Sequence, residues 1–390
     1  MRIAAVDLFY LRMPGITRAA DGTQDTLLVC LRSENGLEGW GECDASPLVS
    51  IATYCCPMSH GNIINIRESL LGETLDSPED IWRLHAKVLR NGLDIQQIHH
   101  AYSGADTALW DLLGKKRGEP VYRLLGGQKP HPKDPYASVL FEASPEATFR
   151  RARRLREMGF RAAKFGWGPF GKDAELNQSL VRAAREGLGP EAELMVDAGV
   201  AWGSNAVLAR ERTGQLAQFR LTWLEEPFSP EAINAYAALA KNTPIALAGG
   251  EGCGTIRAAE DYLEHSGVSY IQIDAGRIGG ITPARRVCES AAQRGITYVN
   301  HTYKSRLSLA AALHVFADFE QFRWLEYPVE GSALSRELVK GVLDRAADGL
   351  VYVPEGPGLG VNVNIDCVRR YNVRTRIELD GAAIYDNSVA

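Results

Sequence analysis

Eight short apolar segments alternate with helical stretches between about residue 135 and residue 353, and this alternation restricts the possible folds more than any other feature. The apolar segments are 136–141, 161–166, 193–198, 220–225, 244–249, 269–274, 296–301 and 322–326. Helical periodicity lies between them, for example at 146–158 and 173–187. Strands that alternate with helices form a parallel sheet, and eight such units match a closed barrel better than an open sheet. The sequence therefore predicts an α/β fold with a modified, TIM-like (β/α)8 barrel.

The first 127 residues have a different pattern, in which strands come first and helices follow. Residues 26–32 and 37–42 have the composition of strands, and Glu34-Asn35-Gly36 between them predicts a hairpin turn. Helical periodicity follows at 78–91 and 97–116. We predict an α+β domain at 1–127, a barrel domain at 128–355 and a C-terminal segment at 356–390, which either returns to the first domain or forms an irregular tail.

Composition narrows the classes of function. The net charge is −5 with no basic run, so nothing indicates nucleic-acid binding. A membrane span needs about 20 consecutive apolar residues, and the sequence has no such run. The seven cysteines form no paired framework, which favours free thiols in a reducing compartment. The N-terminus lacks the core of a signal peptide. We expect a cytoplasmic protein that binds neither nucleic acid nor membrane.

Polar residues close most of the predicted barrel strands. They are Lys164, Asp197, Glu225, Glu251, Asp274, His301 and Glu326. From Asp197 onward the steps between them are 28, 26, 23, 27 and 25 residues, about the length of one βα unit. Each step therefore advances by one strand, and the side chains converge on the C-terminal rim, where barrel active sites lie.

Three consecutive strands end in the carboxylates Asp197, Glu225 and Glu251. Any one of them could simply cap a helix or occupy a turn. Together they crowd like charges at one rim, which is costly without a counter-ion. An all-oxygen ligand set favours Mg²⁺, with Mn²⁺ as the alternative. Glu226 is adjacent to Glu225, and because strand alternation lets only one face the ion, we assign Glu225 and expect Glu226 to point away.

Asp274 and His301 close neighbouring strands, although a His taken alone is more often structural. An Asp bonded to one ring nitrogen fixes the tautomer and makes the other nitrogen a better base. His301 is therefore a candidate general base. Lys164 could neutralise a substrate anion or move a proton, or be a solvated strand-end Lys. Glu326 could be held protonated and donate a hydrogen bond, or be another strand-end carboxylate.

Several longer motifs resemble the enolase superfamily, in its mandelate racemase-like branch (mandelate racemase/muconate lactonizing enzyme). They are ADTALWDLLGKKRGEPVYRLLGG at 105–127, MVDAG at 195–199, WLEEP at 223–227, GGEG at 249–252, QIDAGRIGGIT at 272–282 and VNHTY at 299–303. The similarity covers nearly the whole chain. It implies a capping domain over a barrel of seven or eight units, with the C-terminal tail packed back on the cap.

The resemblance also implies roles for residues. The carboxylates Asp197, Glu225 and Glu251 would be the Mg²⁺ ligands. Asp274 and His301 would be the Asp–His dyad, and Glu326 would match the acid that hydrogen-bonds the substrate carboxylate. Cap loops around 14–25 and 44–62 would close over the site. Candidate substrate contacts are Arg18, Tyr136 and Tyr303, although Arg18 could be simple surface charge and the two tyrosines are also weaker candidates for the general acid.

One departure from the family pattern affects the reaction. Racemases of this branch carry Lys-x-Lys at the end of the second strand, whereas here Lys164 is followed by Phe165 and Gly166. Racemisation needs two opposed bases, so the pattern favours dehydration of an acid sugar to a 2-keto-3-deoxy acid. A sugar-lactone cycloisomerase, an epimerase or racemase, and a non-catalytic relative are the alternatives. We expect a small acid sugar as the partner, and a homo-oligomer.

Overall fold

The computed structural model of the protein describes residues 1–17, 21–44, 46–339 and 343–387. The strands are β1 Ile3–Arg12, β2 Asp25–Ser33, β3 Glu38–Cys43, β4 Asp134–Leu140, β5 Ala162–Gly166, β6 Glu193–Asp197, β7 Trp223–Glu225, β8 Leu247–Gly249, β9 Tyr270–Ile273, β10 Thr297–Asn300, β11 Trp324–Pro328, β12 Arg376–Leu379 and β13 Ala382–Asp386. The α-helices are α1 Pro47–Cys55, α2 Ile66–Leu70, α3 Pro78–Asn91, α4 Ile98–Arg117, α5 Val121–Leu124, α6 Pro145–Glu157, α7 Ala174–Leu188, α8 Ala206–Leu216, α9 Ile233–Ala240, α10 Ile256–His265, α11 Ile281–Arg294, α12 Arg306–Phe316, α13 Ala333–Glu337 and α14 Ile365–Tyr371.

The cap is an antiparallel sheet in the order β1-β2-β3, covered by α4. The predicted hairpin turn forms between β2 and β3, with Gly36 at a φ of 79° that favours glycine. The helical periodicity predicted at 97–116 corresponds to α4, whose apolar stripe is buried and comprises Ala101, Ala105, Ala108, Leu109 and Leu112. This stripe packs against β2 and β3, and its burial stabilises the core of the cap.

The barrel is an eight-stranded sheet in which β4 to β10 follow one another and β11 pairs with β4. Its ladders are parallel, as the βα alternation predicts. Between β10 and β11 the side chain of Asn300 takes the place of a backbone ladder. Its Oδ1 accepts from the amide of Glu326 at 2.9 Å, and its Nδ2 donates to the Glu326 carbonyl at 3.3 Å. The ring is thus nearly closed, and all strand ends point at one mouth.

The cap rests on the barrel through α4 and the start of α11. Trp110 donates from its indole to the Thr282 hydroxyl at 2.8 Å, and Thr282 donates its amide to Asp106 at 2.9 Å. Gly280, just before α11, has no room for a side chain, because a Cβ there would lie 2.2 Å from the Asp106 carboxylate. These contacts fix the cap over the mouth of the barrel.

The C-terminal segment contacts the cap again. Val373 donates its amide to the Tyr10 carbonyl at 2.7 Å, and the Tyr385 hydroxyl donates to the Leu8 carbonyl at 2.9 Å. Both acceptors lie on β1. This segment therefore packs on the cap sheet with α14 and the β12–β13 hairpin.

Within the described ranges, no helix is both long and apolar enough to cross a membrane. The seven cysteines all lie in the described part of the chain, and no disulfide joins them there.

Candidate active site

The C-terminal ends of the barrel strands surround one cavity of about 140 Å³. Among the residues predicted from the sequence, Lys164, Asp197, Glu251, His301, Tyr303 and Glu326 line it. Asp44 and Gly22 of the cap contribute to its wall, as do Ser138, Val139 and Leu140 of β4. Most of the rim predicted from strand spacing therefore surrounds one site between cap and barrel. Glu225 and Asp274 do not line the cavity but contact Lys164 and His301, which do.

The ammonium of Lys164 lies between two carboxylates at the floor of this cavity. It contacts Glu225 Oε1, and Glu326 Oε1 lies 2.7 Å away. Ser138 Oγ donates to Glu326 Oε1 at 2.9 Å, and the amide of Thr302 donates to Oε2 at 2.7 Å. Burial, the largest influence, would raise the pKa of Glu326, but the charges of Lys164 and His301 and the hydrogen bonds from Lys164 and the Thr302 amide together outweigh it, and the pKa is lowered. These contacts favour the ionised form of Glu326 over the protonated form that the sequence left open.

Asp197 and Glu225 end neighbouring strands and are held by aromatic N–H donors. Trp167 Nε1 donates to Asp197 Oδ2 at 3.0 Å, and Trp223 Nε1 donates to Glu225 Oε2 at 3.0 Å. Gln272 Nε2 donates to the same Glu225 oxygen at 2.7 Å. These donors fix the direction in which each carboxylate faces.

The set Asp197, Glu225 and Glu251 fits a hard divalent cation. All three carboxylates are buried or nearly so and offer only oxygen ligands. Burial and the nearby charge of Glu225 raise the pKa of Asp197 to about 8. Such crowding of acidic groups is what a cation of charge +2 relieves. The three residues could therefore hold Mg²⁺ or Mn²⁺ at the mouth of the barrel.

His301 and Asp274 form the predicted pair. His301 Nδ1 lies 2.6 Å from Asp274 Oδ2, and the amide of Gly276 fixes the other oxygen of Asp274 at 2.6 Å. Nε2 of His301 faces the cavity and lies 3.3 Å from Glu251 Oε2. Burial would lower the pKa of His301, but the charges of Glu251 and Glu326 outweigh it and raise the pKa to about 10.

The sequence matches two family descriptions that divide the chain between cap and barrel. Residues 9–126 match the mandelate racemase / muconate lactonizing enzyme N-terminal domain. Residues 147–367 match the enolase C-terminal domain-like family. The chain belongs to the enolase superfamily, in its mandelate racemase-like branch. The resemblance to this superfamily and the predicted fold class are confirmed.

Two similar proteins are named for activities on acid sugars. The chain is 29% identical to a D-galactarolactone cycloisomerase of Agrobacterium fabrum, over 89% of this chain and 91% of the relative. It is also 29% identical to an L-talarate/galactarate dehydratase of Salmonella typhimurium, over 86% and 79% of the two chains.

Solved structures show the same fold. A predicted mandelate racemase from Rhodobacter sphaeroides superposes with a TM-score of 0.95 and 46% identity, over 99% of both chains. A racemase from Streptomyces coelicolor A3(2), solved with bound magnesium, superposes with a TM-score of 0.80 and 25% identity, over 95% of this chain and 100% of that one.

Superfamily membership does not by itself assign the substrate contacts. Of the three candidates predicted from the sequence, Tyr136 lies outside the cavity. Tyr136 is fully buried below the site, with its ring 5.3 Å from that of Trp223. Ser138, two residues later on the same face of β4, lines the cavity instead. The prediction of a substrate contact at Tyr136 is wrong because its side chain lies one layer deeper. Tyr303 lines the cavity, and Arg18 lies outside the described residues.

Glu226 also differs from expectation. The strand ends at Glu225, and Glu226 has a φ of 38°, so simple alternation stops there. Its carboxylate is buried close to the site instead of pointing away from it, and Oε1 has no hydrogen-bond partner among the described residues. Burial, followed by the charge of Glu251, raises its pKa. A fourth carboxylate therefore lies close to the predicted ligand set.

Arg277 is a residue of the site that strand endings could not reveal, because it lies in the loop after β9. Its Nε is 2.6 Å from Asp44 Oδ2 in the cap, and its Nη1 is 3.0 Å from Glu251 Oε1. Asp274 Oδ2 lies 3.9 Å away. The QIDAGRIGGIT motif contains Arg277, so the motif was a signal for it. Its cap partner Asp44 was indicated only by its place at the start of the predicted cap loop around 44–62.

Asp44, Asp274 and His301 also offer ligand-type atoms within 4.8 Å of one another. Two side-chain cations of the protein already form ion pairs with these carboxylates. Arg277 contacts both, and Lys304 Nζ lies 3.2 Å from Asp44 Oδ1. Because Arg277 and Lys304 form ion pairs with this cluster, whereas no side chain in the described part of the chain forms one with Asp197, the Asp197 side of the cavity is the better site for an ion.

Proposed function

We propose that the protein is an acid-sugar dehydratase that depends on Mg²⁺, or alternatively Mn²⁺. The observation that carries the proposal is a single Asp–His base whose His301 lines one cavity together with Asp197, Glu251 and Lys164, the last in contact with the buried Glu225. Lys164, the other proton-carrying residue, is held between Glu225 and Glu326, so it is a fixed positive charge and not a second base. One base suffices for elimination, whereas racemisation needs two.

The residues of the chain would divide the reaction as follows. His301, oriented by Asp274, removes the proton next to the substrate carboxylate in its neutral form, which a cation held at Glu251 would favour by offsetting the charge that raises the His301 pKa. Lys164 stabilises the negative charge that develops on that carboxylate. Loss of the 3-hydroxyl as water, with the proton returned by His301, leaves an enol that becomes a 2-keto-3-deoxy acid. Glu326 positions Lys164 and is not itself required to donate a proton.

Asp197, Glu225 and Glu251 would hold the cation, which supplies Lewis-acid stabilisation of the substrate carboxylate when bound. The structure of a racemase with bound magnesium, from the same superfamily, supports this choice of ion.

A lactone cycloisomerase is the second candidate, because one relative has that activity by name. The same base would remove the same proton, and the ring oxygen would leave in place of the hydroxyl. The two reactions differ in mass balance, because dehydration loses one water and ring opening loses none. The dehydratase relative supports the first candidate.

A screen of mono- and diacid sugars and their lactones with Mg²⁺, read by keto-acid formation and by product mass, tests the proposal. Keto acid lighter than the substrate by one water is the expected product. A product of unchanged mass from a lactone would replace dehydration by cycloisomerisation. Failure of every acid and lactone with Mg²⁺ and with Mn²⁺ would favour a non-catalytic relative and contradict the proposal.

A further inference from the structure

Trp167 follows directly after β5 and has an unusual combination of features. Its backbone has a φ of 55°, a left-handed value that is strained for a bulky residue. Its side chain nevertheless lines the cavity and is 43% exposed there. Strain of this kind persists only where the surroundings impose it, and it is concentrated at functional sites. Trp167 is therefore held in the cavity wall at a cost in backbone energy.

Two neighbouring glycines make room for this arrangement. A Cβ on Gly199 would lie 2.9 Å from the Trp167 ring, so the indole packs directly on that backbone. A Cβ on Gly166 would lie 2.6 Å from Asp197 Cβ. β5 and β6 thus approach too closely at this point for a side chain at 166. Position 166 therefore requires glycine. The indole of Trp167, the next residue, packs over Asp197.

The indole contacts a predicted ligand and the open cavity at once. Its N–H donates to Asp197 Oδ2 at 3.0 Å, which leaves Oδ1 to accept from the amide of Gly199 at 2.7 Å. The exposed ring lines the cavity together with the apolar residues Val139 and Leu140. We call these three residues the apolar wall.

We infer that Trp167 has two separable roles at this site: its N–H positions Asp197 for the cation, and its ring binds the C–H surface of the carbon chain of the substrate. The inference rests on the proposed function for its substrate, an acid with a chain long enough to reach the wall. The role in cation binding does not depend on the proposed reaction, because it can be measured without substrate. Trp167 is a positioning residue in the first role and a specificity residue in the second.

Two substitutions separate the roles. Trp167→Phe keeps a ring and removes the N–H, and Trp167→Leu removes both. Trp82→Phe is the matched control, because Trp82 lies on α3 in the cap and is 40% exposed. Mn²⁺ affinity is measured by calorimetry without substrate. Affinities for D-galactonate and for glycolate, which has no chain to reach the wall, are measured with saturating Mg²⁺ in a His301→Asn background that prevents turnover.

We expect Trp167→Phe and Trp167→Leu to bind Mn²⁺ about 10- to 100-fold more weakly, as when a group that orients a metal ligand is lost. Trp167→Leu alone should bind D-galactonate at least about fivefold more weakly, while glycolate is unaffected. Trp82→Phe should match the parent. Unchanged Mn²⁺ affinity in Trp167→Phe would overturn the first role, and equal losses for both acids would overturn the second. Losses that follow the melting temperature in both variants would indicate a purely structural residue and overturn both.

The proposed function can fail separately. If the unsubstituted protein converts no acid sugar yet binds Mn²⁺, and Trp167→Phe weakens that binding, the positioning role stands and the dehydratase assignment does not.

Discussion

At the residue scale, the chemistry of the site depends on which side chains find partners. The sequence predicted the residues at the strand ends, and Lys164, Glu251 and His301 do share one cavity. It could not predict that Glu326 would accept hydrogen bonds from three donors, because all three donors come from other strands or their loops. Pairings of this kind depend on three-dimensional distances of tenths of an ångström, which spacing along a chain does not encode.

Gly166→Ala tests whether the close approach of β5 and β6 excludes any side chain, including a second Lys, at position 166. The new Cβ would press on Asp197, so we expect cation affinity to fall at least about tenfold, measured by Mn²⁺ calorimetry. Gly214→Ala in α8 is the control, since nothing lies within 4 Å of a Cβ there. It should leave cation binding intact and stabilise the helix by about 0.5–1 kcal/mol. Gly166→Ala with normal affinity would refute the steric argument.

At the element scale, prediction from sequence was most successful. Strand and helix positions in the barrel follow from apolar periodicity, because each strand is buried on both faces and each helix on one. The closure between β10 and β11 could not be foreseen, since it uses a side-chain amide of Asn300 in place of a ladder. The depth of Tyr136 was also out of reach, because alternation predicts the face of a strand and not the layer within the barrel.

His314 in α12 contacts both α5 and the loop around Leu359, and its burial leads us to expect a pH dependence of the stability. Its Nδ1 accepts from the Tyr122 amide at 3.2 Å, and Nε2 lies 3.1 Å from the Leu359 carbonyl. Burial lowers the pKa of His314 to about 4 from an ordinary value of 6.5. The unfolded chain therefore takes up a proton below pH 6.5 that the folded chain does not, and this part of the stability is lost as pH falls toward 4.

His314→Gln can make both hydrogen bonds without titrating. We expect its free energy of unfolding to depend less on pH than that of the parent, by about 3 kcal/mol between pH 7 and pH 4. Urea unfolding at several pH values measures the difference. His265→Gln, at a side chain that is 55% exposed, should behave as the parent does. An identical pH dependence in parent and His314→Gln would contradict the assignment.

At the scale of the whole molecule, the site exists only where cap and barrel meet. Arg277 from the barrel holds Asp44 from the cap and the predicted ligand Glu251. Removing this cation breaks both of these ion pairs, and breaking a buried ion pair by removing one partner typically costs about 3–5 kcal/mol. The packing of cap on barrel and the arrangement of the ligands are thus coupled through one guanidinium.

Arg277→Met should therefore lower both the melting temperature and the affinity for Mg²⁺, by scanning calorimetry and titration calorimetry respectively. The control is Arg257→Met, which removes an 84% exposed Arg paired with Asp261 within one helix and should change neither. If Arg277→Met melted as the parent does and bound Mg²⁺ equally well, the coupling would be absent.

The most direct test of one-base elimination compares the parent with His301→Asn in D₂O, with Mg²⁺ and an acid sugar that the screen identifies. Proton NMR follows the keto acid and the configuration at C2 of the recovered substrate. The parent should form keto acid and no C2 epimer, and His301→Asn should form no product and exchange no C2 proton. Product at the parental rate from His301→Asn, or a C2 epimer from the parent, would contradict the account.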